Sequence, residues 1–186
     1  MATHFTGPIL FAGKDGNRKW FENLPIDKNP DYVVYMDDFT GVALDNTNDW
    51  TVVKDSSATA ALGADAESGT LVLTSQATTD NDGASVQGNE IFALSTSRDV
   101  WFETKIKVGD SEGSAIDLCV GLTVNFATNP EAMLTAADRI VFQVDDGDTN
   151  IDCVTEKDGT ATTTDSGVDI ADDTYVTLGF HVKGTG

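Results

Sequence analysis

The chain of 186 residues has room for one domain with one core, or for one domain plus an arm. At 40% hydrophobic and 23% charged it is too apolar for wholesale disorder, and no apolar run approaches the roughly 20 residues of a bilayer span. Eleven Lys and Arg against 31 Asp and Glu leave a net charge of −20, which disfavours nucleic acid and anionic membrane surfaces as partners, because both need clustered cations.

Residues 1–30 differ from the rest. Lys14, Arg18, Lys19 and Lys28 against Asp15, Glu22 and Asp27 give this stretch a charge of +1, leaving −21 to residues 31–186. It carries three of the four prolines (Pro8, Pro25, Pro30) and shows no sustained period of 2 or 3.6. Phe5, Ile9, Leu10, Phe11, Trp20 and Phe21 are nevertheless too apolar for a solvated linker. The reading is an irregular N-terminal arm that lies on its own body or on a partner surface. No basic cluster leads into an apolar stretch at the start, so no signal peptide is expected.

From residue 31 onward the signal is alternation. Short strands are expected at Tyr32–Phe39, Trp50–Lys54, Thr70–Ser75 and Ala84–Gln87. A longer one runs over Val100–Val108, with Val100, Phe102, Ile106 and Val108 on one side and Trp101, Glu103, Lys105 and Lys107 on the other. Leu118, Val120, Leu122, Val124 and Phe126 form the next apolar row. Asn129-Pro130-Glu131 opens one short connector helix reaching Ala137, with an N-cap residue followed by Pro at the first helical position. Strands at Arg139–Val144, Ile151–Glu156 and Val176–Val182 follow, and Asp82-Gly83, Asp146-Gly147 and Asp158-Gly159 supply turns. The fold class is therefore all-β, an antiparallel β-sandwich over residues 31–186 with one connector helix and an irregular arm. Lys183-Gly184-Thr185-Gly186 reads as the start of a turn, so the chain either stops at an edge strand or lacks a tail, and a missing tail is the expectation.

The chemistry-bearing residues are few. Two His residues stand in unrelated contexts, His4 in the arm and His181 on a strand, and no G-x-S-x-G is present. Glycoside hydrolysis needs two carboxyl groups roughly 5–10 Å apart, and no strand offers an E-x-D-x-x-E string. The reading is a protein that is not an enzyme. Asp146, Asp148, Asn150 and Asp152 form D-x-D-x-N-x-D, a candidate calcium site. Ile151 and Lys157 stand where an EF-hand wants Gly and Glu, and the same residues suit a hairpin turn. Thr79-Asp80-Asn81-Asp82-Gly83 is a second oxygen-rich turn. No other cofactor is implied. Trp101 and Tyr175, on the less apolar faces of their strands, are candidate glycan platforms. Cys119 and Cys153 lack ligand spacing for zinc; free thiols are expected, with one inter-strand bridge as the alternative.

Several stretches together resemble a known group. They are His4-Phe5-Thr6-Gly7-Pro8-Ile9-Leu10, Val34-Tyr35-Met36-Asp37-Asp38-Phe39 with Trp50 downstream, Trp101 to Val108, Val120-Gly121-Leu122, and Leu178-Gly179-Phe180-His181-Val182-Lys183. Their order resembles small structural proteins of tailed bacteriophages, marine and cyanobacterial ones especially, with a concanavalin-like (laminin-G-like) β-sandwich. The resemblance implies a capsid decoration or cement protein, assembled in the host cytoplasm and residing on the virion's capsid surface. It implies the major capsid protein as partner and a homo-oligomer, commonly a trimer. The arm residues Phe5, Ile9, Leu10, Phe11, Arg18, Lys19, Trp20 and Phe21 would then make the docking contact. A glycan- or receptor-binding module on a phage tail or appendage is the alternative.

Overall fold

The computed structural model describes residues 35–55, 57–64, 69–75, 83–109, 116–125 and 129–184. The chain divides into two units, Met1–Asp38 and Phe39–Gly186. The arm expected over residues 1–30 lies outside the described residues.

The second unit is all-β. Among the described residues ten strands appear in order: β1 (Thr51–Lys54), β2 (Thr59–Leu62), β3 (Leu71–Thr74), β4 (Ala84–Gln87), β5 (Val100–Ile106), β6 (Leu118–Thr123), β7 (Arg139–Val144), β8 (Asn150–Lys157), β9 (Thr160–Asp169) and β10 (Val176–Val182). They pair as β1–β4, β2–β3, β5–β10 and a four-stranded meander β6-β7-β8-β9, every ladder antiparallel. The connector expected after Asn129 is a 3₁₀ helix over Pro130–Thr135, and the Asn129 side chain accepts from the Glu131 N–H. Ala136 is already extended, so the helix ends before an α-helical ladder forms.

The core follows from the alternation. The registers Leu118↔Val144, Val120↔Phe142 and Leu122↔Ile140 place the even-numbered apolar row of β6 and that of β7 on one face, and Phe142↔Cys153 extends it to β8. In the β5–β10 ladder Phe102 opposes Phe180 and Ile106 opposes Val176, so these share a face with Leu178. The two faces meet in one cluster centred on Phe142, Val144, Ile151, Ile170 and Leu178, with Phe102 and Phe180 stacked at 5.0 Å. Ile151 is about 1% exposed, and its burial contributes roughly 2–3 kcal/mol.

The other face of the meander is also covered at its middle, where Val141 and Val154 are 2% and 3% exposed. Ile140, Val141 and Phe142 therefore read as a continuous apolar run, the mark of a strand buried on both sides. Gly121 is needed where β6 crosses β7. A Cβ there would stand 2.3 Å from the Ile140 carbonyl oxygen and 2.8 Å from the Val141 Cα.

One expected strand is corrected, and for the cysteines the expected free thiols are found while the bridge offered as the alternative is excluded. Tyr35–Phe39 forms no strand; Phe39 sits at φ 53°, in the left-handed region, which ends the extended run, and its ring packs on Trp50 at 5.6 Å. Cys119 opposes Gln143 and Cys153 opposes Phe142, on opposite faces of one sheet, so the two thiols cannot form an intramolecular bridge.

Candidate functional site

The outer face of β5–β10 gathers the most varied side chains. Because Phe102, Ile106, Leu178 and Phe180 point into the core, alternation turns Trp101, Glu103, Lys105, His181 and Gly179 outward. Trp101 and His181 are direct cross-strand partners, and their rings stack at 4.7 Å with 3° between planes. Asp99 holds this end of the ladder: one carboxylate oxygen stands 2.9 Å from His181 Nε2, and the other accepts the Gly184 N–H at 2.8 Å. The Gly184 N–H and then His181 hold the Asp99 carboxyl below its ordinary range.

At the far end, Tyr175 is half exposed, with the Lys105 ammonium 4.5 Å and the Lys107 ammonium 5.5 Å from its ring centroid. Lys107 also pairs with Asp173 at 2.9 Å, and that partner raises its pKa. Trp101 and Tyr175 thus lie on one face but six residues apart along it, roughly 20 Å. One face of each ring is already used by His181 or by lysine ammonium groups. The two rings cannot stack on a common sugar residue.

The oxygen-rich run of the β7–β8 hairpin organises its own turn. Asp148 Oδ1 accepts the N–H groups of Thr149 (2.7 Å) and Asn150 (3.0 Å), and the Asn150 amide donates to Asp152 Oδ1 at 2.7 Å. The Asp146 N–H goes to Asp117 Oδ1 at 3.0 Å, and Gly147 takes φ 83°. Among the described residues no three His, Cys, Asp or Glu side chains gather where they could hold a metal ion. The second oxygen-rich turn, Thr79–Asp82, lies outside the described residues, as do all eight arm positions.

A polar cluster beneath the 3₁₀ helix escaped the sequence reading. Arg139, about 9% exposed, donates from Nε to Glu156 Oε2 at 2.9 Å and from Nη1 to Gln143 Oε1 at 2.9 Å and the Met133 carbonyl at 3.1 Å. It also reaches the Leu134 carbonyl, and the Gln143 amide reaches Asp145. Arg139 thus ties the helix to β7 and β8 while its charge is matched by Glu156. Cys119 lies alongside, its thiol 3.9 Å from the Met133 carbonyl, and burial pushes that thiol up to about 12. At that pKa it is inert, a packing group and no nucleophile. The cluster was findable, because a hairpin turning at Asp146-Gly147 brings Arg139 opposite Glu156 once its register is fixed.

A cleft of about 440 Å³ is lined by Val42, Leu44, Val52, Ala60 and Leu62 together with the polar Asn46 and Lys54. Comparison of the chain with models of known families, with curated proteins and with solved structures finds no match.

Proposed function

We propose that the chain is a structural protein of a tailed-phage particle, a capsid decoration or cement protein whose acidic β-sandwich body of concanavalin-like type is fastened through its leading segment. The observation that carries this reading is the partition of charge and apolarity. Thirty residues of charge +1, rich in Phe, Trp, Ile and Leu, precede a body of charge −21. A strongly anionic body stays soluble and repels its neighbours at high density, while a near-neutral apolar segment can bury against another surface without a charge penalty. The layered packing of β5–β10 on β6-β7-β8-β9 supports the sandwich assignment. The flat, mixed face of Trp101, Lys105, Tyr175 and His181 suits contact with a macromolecular surface.

Removal of residues 2–28 tests this. The truncated chain should fold and yet be lost from purified heads; normal occupancy would overturn the reading. The glycan- or receptor-binding alternative draws on the half-exposed Tyr175 and on Trp101. If it held, titration with host polysaccharide would shift Trp fluorescence, and Trp101→Ala would remove the shift. With the stacking face of Trp101 engaged by His181, no shift is expected.

A further inference from the structure

Asp-Gly occurs four times in the chain, at residues 15–16, 82–83, 146–147 and 158–159. The pair is chemically distinctive. With no Cβ on the glycine, its nitrogen can close on the side-chain carboxyl of the preceding aspartate, provided both groups are free to meet. The first pair lies outside the described residues. The structure separates the other three by what their glycine N–H groups do.

Two of those N–H groups are engaged. The Gly83 N–H donates to Asp55 Oδ2 at 3.0 Å, in a part-buried position. The Gly159 N–H donates to the Ala137 carbonyl at 3.0 Å. Asp158 beside it is held as well: its N–H goes to Asp138 Oδ1 at 3.2 Å, and its carboxylate accepts from Lys157 Nζ at 3.1 Å. Gly147 differs. Asp146 and Gly147 are the central residues of the turn that the Asp148 N–H closes on the Asp145 carbonyl at 3.0 Å, and the middle peptide of such a turn belongs to no ladder. Among the described residues nothing accepts the Gly147 N–H, and nothing holds the Asp146 carboxylate. Both residues are exposed, and a Cβ built at Gly147 would meet no atom within 4 Å. Asp117 and Asp148 fix the flanks of this turn while its tip stays free.

We propose that Asp146-Gly147 is a site of spontaneous covalent modification, at which the folded protein isomerises aspartate to isoaspartate, and that the hydrogen bonds on Gly83 and Gly159 protect those two pairs. The Gly147 nitrogen attacks Cγ of the Asp146 carboxyl in its protonated form. The bond from Cγ to the hydroxyl breaks, and that hydroxyl leaves with the amide proton as water, giving a five-membered succinimide. Water from the solvent then adds to one of the two ring carbonyls. Opening at the main-chain carbonyl breaks its bond to nitrogen and leaves the chain running through Cγ, as isoaspartate; opening at Cγ restores aspartate. No oxidant, reductant or second protein is needed. The product keeps its charge and adds one carbon atom to the main chain inside the β7–β8 turn. The inference stands independently of any role in a virion.

Storage of the full chain for weeks at pH 7 in heavy-oxygen water tests this, because each passage through the succinimide fixes one heavy oxygen that fragment masses can place. Label should gather at Asp146 roughly tenfold faster than at Asp158 or Asp82, the factor that one hydrogen bond of about 1.4 kcal/mol sets on a rate. In urea, where those bonds are gone, the three should label at like rates. Asp146→Glu, whose ring would need six atoms, should remove the label at that position, with circular dichroism confirming the fold. Absence of label at Asp146, or equal labelling of Asp146 and Asp158 in the folded protein, overturns the proposal. So does folding that slows Asp146 as much as it slows Asp158, or label that persists at position 146 in Asp146→Glu.

Discussion

Cys119 shows how neighbours decide what a residue can do. Its thiol is pushed up to about 12 chiefly by burial, with Arg139 pulling the other way and Asp145 adding to the rise. At pH 8 only about one molecule in ten thousand would carry the thiolate. Alkylation of Cys119 in the native protein should therefore be far slower than in urea, with the labelled residue identified by peptide mass; equal rates would show the thiol open. Glu156 has a different part. With side-chain exposures of 8% and 11%, Arg139 and Glu156 form a pair that water cannot replace. Glu156→Gln leaves the guanidinium buried without its counter-charge and should cost roughly 3 kcal/mol in urea unfolding at pH 7. A change below about 0.5 kcal/mol would show that Gln143 and the helix carbonyls suffice alone.

Among elements, the β8–β9 turn is clamped by electrostatics that acid can dissolve. Lys157, then the Asp158 N–H, hold the Asp138 carboxyl below its ordinary range. A carboxyl depressed on folding stabilises the fold above its unfolded pKa of about 3.9 and loses that contribution as pH falls through the lower folded value. Asp138→Asn should thus melt below wild type at pH 7, and the gap should close below about pH 4; a gap that persists in acid would put the effect elsewhere. Alternation made β4, β7 and β10 legible to the residue, and β7 and β10 each set a row of side chains against the core. β9 gave no such signal. Thr-Ala-Thr-Thr-Thr has no apolar row to read when neither face is buried, and only the Asp158-Gly159 turn and the β-propensity of Thr hinted at it. β2, Thr-Ala-Ala-Leu, was missed because alanine is a poor strand marker. The face holding Trp101 and Tyr175 was legible as a face. The Trp101–His181 stack was not, since it depends on the register between strands more than seventy residues apart.

At the scale of the whole molecule, the proposed function assigns two tasks to two stretches of unlike charge: the all-β body of −21 would keep copies apart, and the leading segment of +1 would hold on. The core cluster runs from Phe102 to Phe180 within the second unit, and the body is expected to fold without residues 2–28. The most direct measurement of the proposed role is the occupancy of this chain on purified tailed-phage heads, comparing the full chain with one lacking residues 2–28. Full occupancy for the intact chain and loss of the folded, truncated one is the expected result. Equal occupancy of both, or absence of the intact chain from the heads, would contradict it.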